Sequence, residues 1–219
     1  KDKMPTAGEE VYDDMGGDGN GVATFPTNGT IGYNGNLGGL VDVSVSYNKN
    51  DSSVATVAAT ISGNSDTKTI TTNTGSSSSI VISGSPTDGA TVFYGQGEKA
   101  GTTKELGTDM WTVGGTYAVN AVTMGIQQTS IDAAAVDSDA DRLHLALSYQ
   151  INDDLAISYG MSTVEFEGAS TVDEEDSGFS ISYTMGSMSL VGSWLESDNV
   201  GGVSATNDSH TEIALSFAF

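Results

Sequence analysis

The chain has 219 residues, and its 7 Lys and Arg stand against 29 Asp and Glu, a formal charge of −22. That balance excludes a basic surface for nucleic acid or an anionic bilayer, because both are bound through clustered cations. With no Cys there are no disulfides or thiolate metal sites, and 28 Gly beside only 3 Pro suit β-structure joined by polar loops.

No apolar run approaches the roughly 20 residues of a membrane-crossing helix. Barrel strands escape that test, since they are about 10 residues long and only half apolar. Two His, no Cys and no Gly-x-Ser-x-Gly leave no nucleophile and base to pair, so neither an enzyme nor a bound cofactor is expected.

Residues 1–26 form an acidic segment carrying Glu9, Glu10, Asp13, Asp14 and Asp18. Lys1-Asp2-Lys3 is neither an initiator Met nor a signal peptide, so the chain is expected to start after processing or to be the later part of something longer. Gly16-Gly17-Asp18-Gly19-Asn20-Gly21 matches a calcium-binding nonapeptide pattern, but in a single copy.

From residue 27 the apolar residues alternate with polar ones, the period of a strand. Tyr33-Asn34-Gly35-Asn36-Leu37-Gly38 reads as the first hairpin turn, because Asn-Gly between strands is a strong turn signal. Val41, Val43, Val45 and Tyr47 then alternate with Asp42, Ser44, Ser46 and Asn48. Residues 51–78 alternate poorly and end in a Ser run, so they are expected to form a long outer loop with its own hairpin.

Further strands are predicted over 79–85, 89–98, 110–119, 121–131, 142–151, 154–166, 178–186, 188–198 and 211–219. With 27–34 and 39–49 the chain holds about 11 strands, or about 13 with the hairpin counted. Short turns (Asn34–Gly38, Asn120, Asn152–Asp154, Gly186-Ser187) alternate with long acidic ones (Lys99–Asp109, Ile131–Asp141, Glu167–Ser177, Asn199–His210). Tyr33, Tyr117, Tyr149 and Tyr183 each precede a short turn, as an aromatic girdle at one membrane level would. The expected fold is all-β: an antiparallel transmembrane β-barrel.

In such a barrel the polar face of each strand lines the lumen, which makes Asp42, Ser44, Arg142, His144, Ser148 and Gln150 candidate pore-wall residues. Arg142 and His144 are either a basic patch facing acidic loops or an ordinary loop-end Arg beside a wetted His. Asp137, Asp139 and Asp141 resemble the start of a calcium loop. Arg142 and Ser148 occupy the positions where an EF-hand needs Gly and Glu, so calcium is expected at most as a bridge between acidic outer loops and lipid phosphates.

The ending Thr211–Phe219 places Ile213, Leu215, Phe217 and Phe219 on one face and Glu212, Ala214, Ser216 and Ala218 on the other. It resembles the C-terminal strand of Gram-negative outer-membrane proteins, a resemblance that makes Phe217 and Phe219 the signal read by the assembly machinery. Asn28–Gly35, Thr91–Gly97, Phe179–Ser187 and Thr211–Phe219, in that order, resemble a general porin of the alphaproteobacterial type. The resemblance implies about 16 strands in the whole protein, a homotrimer, contact with membrane lipid and lipopolysaccharide, and a place in the bacterial outer membrane.

An odd strand count cannot close as an ordinary bacterial barrel, so 27–219 are expected to be its C-terminal strands, with about five more upstream. Residues 1–26 then fall where the family's pore-constricting loop lies, and their five named carboxylates would favour cations. The function implied is passive diffusion of small hydrophilic solutes and ions. The alternative is an extracellular acidic β-rich adhesin or surface-layer module, possibly calcium-stabilised, whose apolar stripes would meet in a dry core.

Overall fold

The structure is a computed structural model that describes residues 30–48, 52–61, 64–73, 76–99, 108–133, 139–168 and 171–217. In chain order the strands are β1 (Thr30–Leu37), β2 (Val41–Asn48), β3 (Ser52–Ile61), β4 (Asn64–Asn73), β5 (Ser77–Gly84), β6 (Ala90–Lys99) and β7 (Thr108–Val119). They continue with β8 (Val122–Ala133), β9 (Ala140–Asn152), β10 (Leu155–Phe166), β11 (Glu174–Met185), β12 (Met188–Asp198) and β13 (Asp208–Phe217). Among the described residues the only helical element is one 3-10 turn, Val200–Gly202.

Eleven strands form one antiparallel meander in the order β1-β2-β5-β6-β7-β8-β9-β10-β11-β12-β13, with β1 and β13 as its edges. The β3–β4 hairpin makes a separate two-stranded sheet, and β2 pairs directly with β5 across its insertion. The longest strands reach 12 and 13 residues, enough to cross hydrocarbon at the tilt of a barrel.

Connections differ sharply at the two ends of the sheet. At one end strands are joined by tight turns, such as Asn120-Ala121, where Asn120 takes φ 53°, and Gly186-Ser187, where Gly186 takes φ 62°. Asn152 Oδ1 accepts the backbone N–H of Asp154 and of Leu155 at 2.9 and 3.0 Å, an Asx-type closure of that turn. The other end carries every longer connection and the inserted hairpin.

Two local expectations need correction. Asn34-Gly35 is not a turn: β1 runs on to Leu37, Asn34 pairs with Ser44 and Gly35 with Val43. The turn belongs to Gly38 and Gly39, both at positive φ, with Asn36 Oδ1 accepting the Gly39 N–H at 2.6 Å. Gly35 instead leaves room for the exposed phenol ring of Tyr33, which is folded over it and would have to swing aside for a Cβ. Likewise, Glu174–Ser177 are not loop, because β11 starts at Glu174 and period-two alternation sorts its acids onto opposite faces.

Register separates the sheet into two chemically distinct faces. Ile126, Leu147, Tyr149 and Met161 share one face and are exposed. The exposure continues along the edge strand, where Ile213 reaches 71%. Phe179 and Trp194, directly opposite on β11 and β12, stack on the same face with centroids 5.9 Å apart. So large an apolar face is foreign to a soluble monomer, whose patches are a few hundred Å².

The opposite face holds Thr112, Gln127, Thr129, Arg142, His144, Ser162, Glu174, Asp176 and Ser197, all buried. The same face also encloses Phe93, Met110, Val164 and Leu195, yet a mostly greasy exterior over a mostly polar enclosed face is what a sheet curled toward its polar face produces. That is the reverse of a soluble domain.

Candidate functional site

The polar face is organised in cross-strand rungs, because each antiparallel pair sets residues of one parity side by side. One rung runs Thr112–Thr129–Arg142–Val164–Glu174 over β7 to β11. The next runs Gly114–Gln127–His144–Ser162–Asp176–Ser197 over β7 to β12. These residues lie far apart in sequence, and only strand register brings them together.

Within the rungs most polar side chains find one another, the buried Ser162 hydroxyl being an exception. Thr112 and Thr129 share a hydrogen bond at 3.0 Å, and Gln127 Nε2 donates to both hydroxyls at 3.1 Å. Ser197 Oγ donates to Asp176 Oδ1. Arg142 and Glu174 reach over Val164, their common neighbour on β10, to form an ion pair at 3.9 Å with both side chains almost fully enclosed. Ser46 and Ser79 make a similar buried contact at 2.6 Å between β2 and β5. Unpaired burial of such groups would be costly, so mutual satisfaction makes the enclosure tolerable.

The enclosure is graded along each strand. On β9, Arg142 and His144 are buried, Ala146 and Ser148 half-buried, and Gln150 exposed. On β11, Glu174 and Asp176 are buried, Ser180 and Ser182 half-buried, and Thr184 exposed. The polar face is therefore closed near the long connections and open near the tight turns.

Of the pore-wall candidates, Arg142 and His144 belong to the closed half. Asp42 and Gln150 lie at the turn end, where Asp42 Oδ1 accepts from Asn36 Nδ2 at 2.8 Å and Gln150 Nε2 donates to the Asn152 carbonyl at 2.6 Å. Ser44 is exposed and Ser148 half-buried on the polar face. Phe217 is exposed on the apolar face opposite Met188, whereas Phe219 lies outside the described residues. Glu9, Glu10, Asp13, Asp14, Asp18 and Asp137 also lie outside them. Asp139 precedes β9 and Asp141 is exposed on it, and among the described residues no group of three or more potential ligands could hold a metal ion.

Sequence reading named Arg142 but missed its partner Glu174 as well as Asp176 and Ser197, although the alternation Glu174, Asp176, Gly178, Ser180 against Glu175, Ser177, Phe179, Ile181 carries the signal. It also missed a pattern on the apolar face. The outward stripe of every strand from β6 to β12 ends, toward the long connections, in an exposed carboxylate: Glu98, Asp109, Asp132, Asp141, Glu165, Glu175 and Asp198. Glu98, Asp109 and Asp132 stand directly opposite one another across three strands, as do Asp141 with Glu165 and Glu175 with Asp198.

Neither a protein-family model nor a curated protein sequence matches the chain. Solved structures do. The anion-selective porin from Comamonas acidovorans superimposes with TM-score 0.66 at 12% identity, covering 87% of this chain and 59% of that one. The outer membrane channel DcaP of Acinetobacter baumannii gives 0.56 at 14% identity, covering 85% and 60%. OmpT, an outer membrane protein of Vibrio cholerae, gives 0.55 at 12% identity, covering 85% and 60%.

The chain thus spans about three fifths of the length of these proteins. Its fold is the antiparallel sheet of outer-membrane β-barrel porins, and these likenesses do not single out an alphaproteobacterial type.

Proposed function

We propose that the chain is part of an outer-membrane porin through which small hydrophilic solutes and ions diffuse passively, with no enzymatic step. The observation that carries this reading is the two-faced sheet: apolar stripes exposed, polar rungs enclosed. The adhesin alternative needs those stripes interlocked in a dry core. Ile126, Leu145, Leu147 and Ile213 are instead exposed.

Cation preference is supported by the charge of −22. On the polar face Asp42, Glu174, Asp176 and Glu212 outnumber Arg142, which is itself paired with Glu174. A negative lumen concentrates cations and repels anions. The Comamonas porin is anion-selective by its description, but at 12% identity it lends this chain its fold and not its selectivity. The acidic segment 1–26 serves in this reading as the constriction. The alphaproteobacterial affinity rests on the sequence phrases alone.

The outward carboxylates mark where hydrocarbon gives way to headgroups, just beyond the apolar stripes. Facing like charges across a strand pair is unfavourable, and divalent cations shared with lipopolysaccharide phosphates would relieve it. A homotrimer assembled by the outer-membrane machinery through Phe217 and Phe219 completes the proposal.

The test is planar-bilayer recording of the full-length protein with a tenfold KCl gradient. A porin of this kind gives steady ohmic steps and a zero-current potential of cation-selective sign. Absence of conductance from correctly folded protein refutes the channel, and an anion-selective potential refutes the charge argument.

A further inference from the structure

The connection between β12 and β13 first folds back onto the sheet over Asn199–Gly202, before the exposed Val203–Asn207. Glu174 Oε2, on the polar face of β11, accepts the backbone N–H of Gly201. Asn199 Nδ2 donates to the Asp173 carbonyl at 3.1 Å, and the Val172 N–H donates to the Gly202 carbonyl at 3.1 Å. Gly202 lies so close to Phe166, the last residue of β10, that an added Cβ would come within 2.8 Å of its ring. Phe166 shares the face of Val164 and Ser162, so the segment is bent over the polar face.

The bend is preorganised. Asn199, Gly201 and Gly202 take φ of 58°, 66° and 73°, conformations open chiefly to Asn and Gly. Inside the segment, Asn199 Oδ1 accepts the Ala205 N–H at 3.0 Å and Val200 N–H donates to the Thr206 carbonyl at 2.8 Å. The segment is thus a compact strap. Its charged anchor is the carboxylate that also pairs with Arg142.

We infer that residues 199–207 form a strap latched by Glu174 across the lumenal face at the long-connection end, narrowing the passage there independently of the acidic segment 1–26. The inference rests on the porin reading for its consequence, but the latch itself does not. Because Glu174 joins Arg142 on one side and Gly201 on the other, wall charge and strap position are coupled through one side chain.

Two measurements on the full-length protein separate these claims. Hydrogen exchange at Gly201 should be slow in the wild type and roughly 10-fold to 100-fold faster in Glu174→Ala, the loss of one charge-assisted bond. Equal, fast exchange in both proteins would overturn the latch whether or not the protein conducts. In planar bilayers, replacing Val200–Thr206 with two Gly should raise single-channel conductance about twofold, since flow follows the open section of a polar passage.

Unchanged conductance in that variant, beside a conducting wild type, would overturn the narrowing while leaving the porin reading intact. A silent wild type would sink the porin reading instead, and exchange would still judge the latch. The shortened variant leaves Arg142 and Glu174 in place, so a folding failure of Glu174→Ala leaves the conductance test standing, and fast exchange at Gly201 in the wild type alone would still overturn the latch.

Discussion

The two ends of this sheet solve different problems with the same strands. Near the long connections, polar side chains of neighbouring strands are buried against one another, and the outward stripes finish in carboxylates. Near the tight turns the polar face is exposed, its side chains stitch turns, and the outward stripes carry Tyr117, Tyr149 and Tyr183 just before they finish in Val119, Ile151 and Met185. The difference teaches that alternation alone sets which face a residue occupies, whereas position along the strand sets how enclosed it is.

The largest effect should come from exchanging the faces themselves. Leu147 and Ser148 are adjacent on β9 but point to opposite sides. Leu147→Arg should cost about 2–4 kcal/mol in urea unfolding from vesicles, and Ser148→Arg only about 0–1 kcal/mol. Equal costs would show that both faces meet the same medium.

Next comes the closed half. Arg142→Ala leaves Glu174 enclosed without its cation and should cost about 1–3 kcal/mol in the same assay. The turn-end counterpart, Gln150→Ala, should stay within about 0.5 kcal/mol because its partners are exposed. A reversed order would mean that the rungs are not enclosed in the folded protein.

A smaller contribution is expected outside, where Trp194→Ala should forfeit about 0.5–1.5 kcal/mol of stacking with Phe179 beyond its lost area. A double-mutant cycle with Phe179→Ala isolates that term, and a coupling near zero would count against the stack. The smallest effect belongs to the carboxylate rim. Chelation by EDTA should lower the thermal midpoint of the lipid-bound protein slightly, and Asp109→Asn should lessen that sensitivity.

Much of this contrast was legible in the sequence. The stripes Leu143–Leu145–Leu147–Tyr149 and Phe179–Ile181–Tyr183 declare their face by period alone, and the spacing of turns declares a meander. The fold followed from those local signals.

The rungs were not legible, because Arg142 and Glu174 meet only when β10 is interposed in one register, and register is a property of pairs. Asp173-Glu174-Glu175-Asp176 looked like a loop since four acids in a row mask their own alternation. Asn34-Gly35 misled in the opposite direction, a strong turn signal overridden by pairing with β2 and by the Gly38-Gly39 turn beyond it.

The most direct measurement places an indole against lipid. Trp111 and Trp194 are the chain's two Trp, and Trp194 is 45% exposed on the apolar face. In a Trp111→Phe variant reconstituted in vesicles, fluorescence from Trp194 should be quenched strongly by lipids brominated on their acyl chains and weakly by aqueous iodide. Strong iodide quenching with no response to brominated chains would contradict the placement of this face in hydrocarbon, and with it the channel.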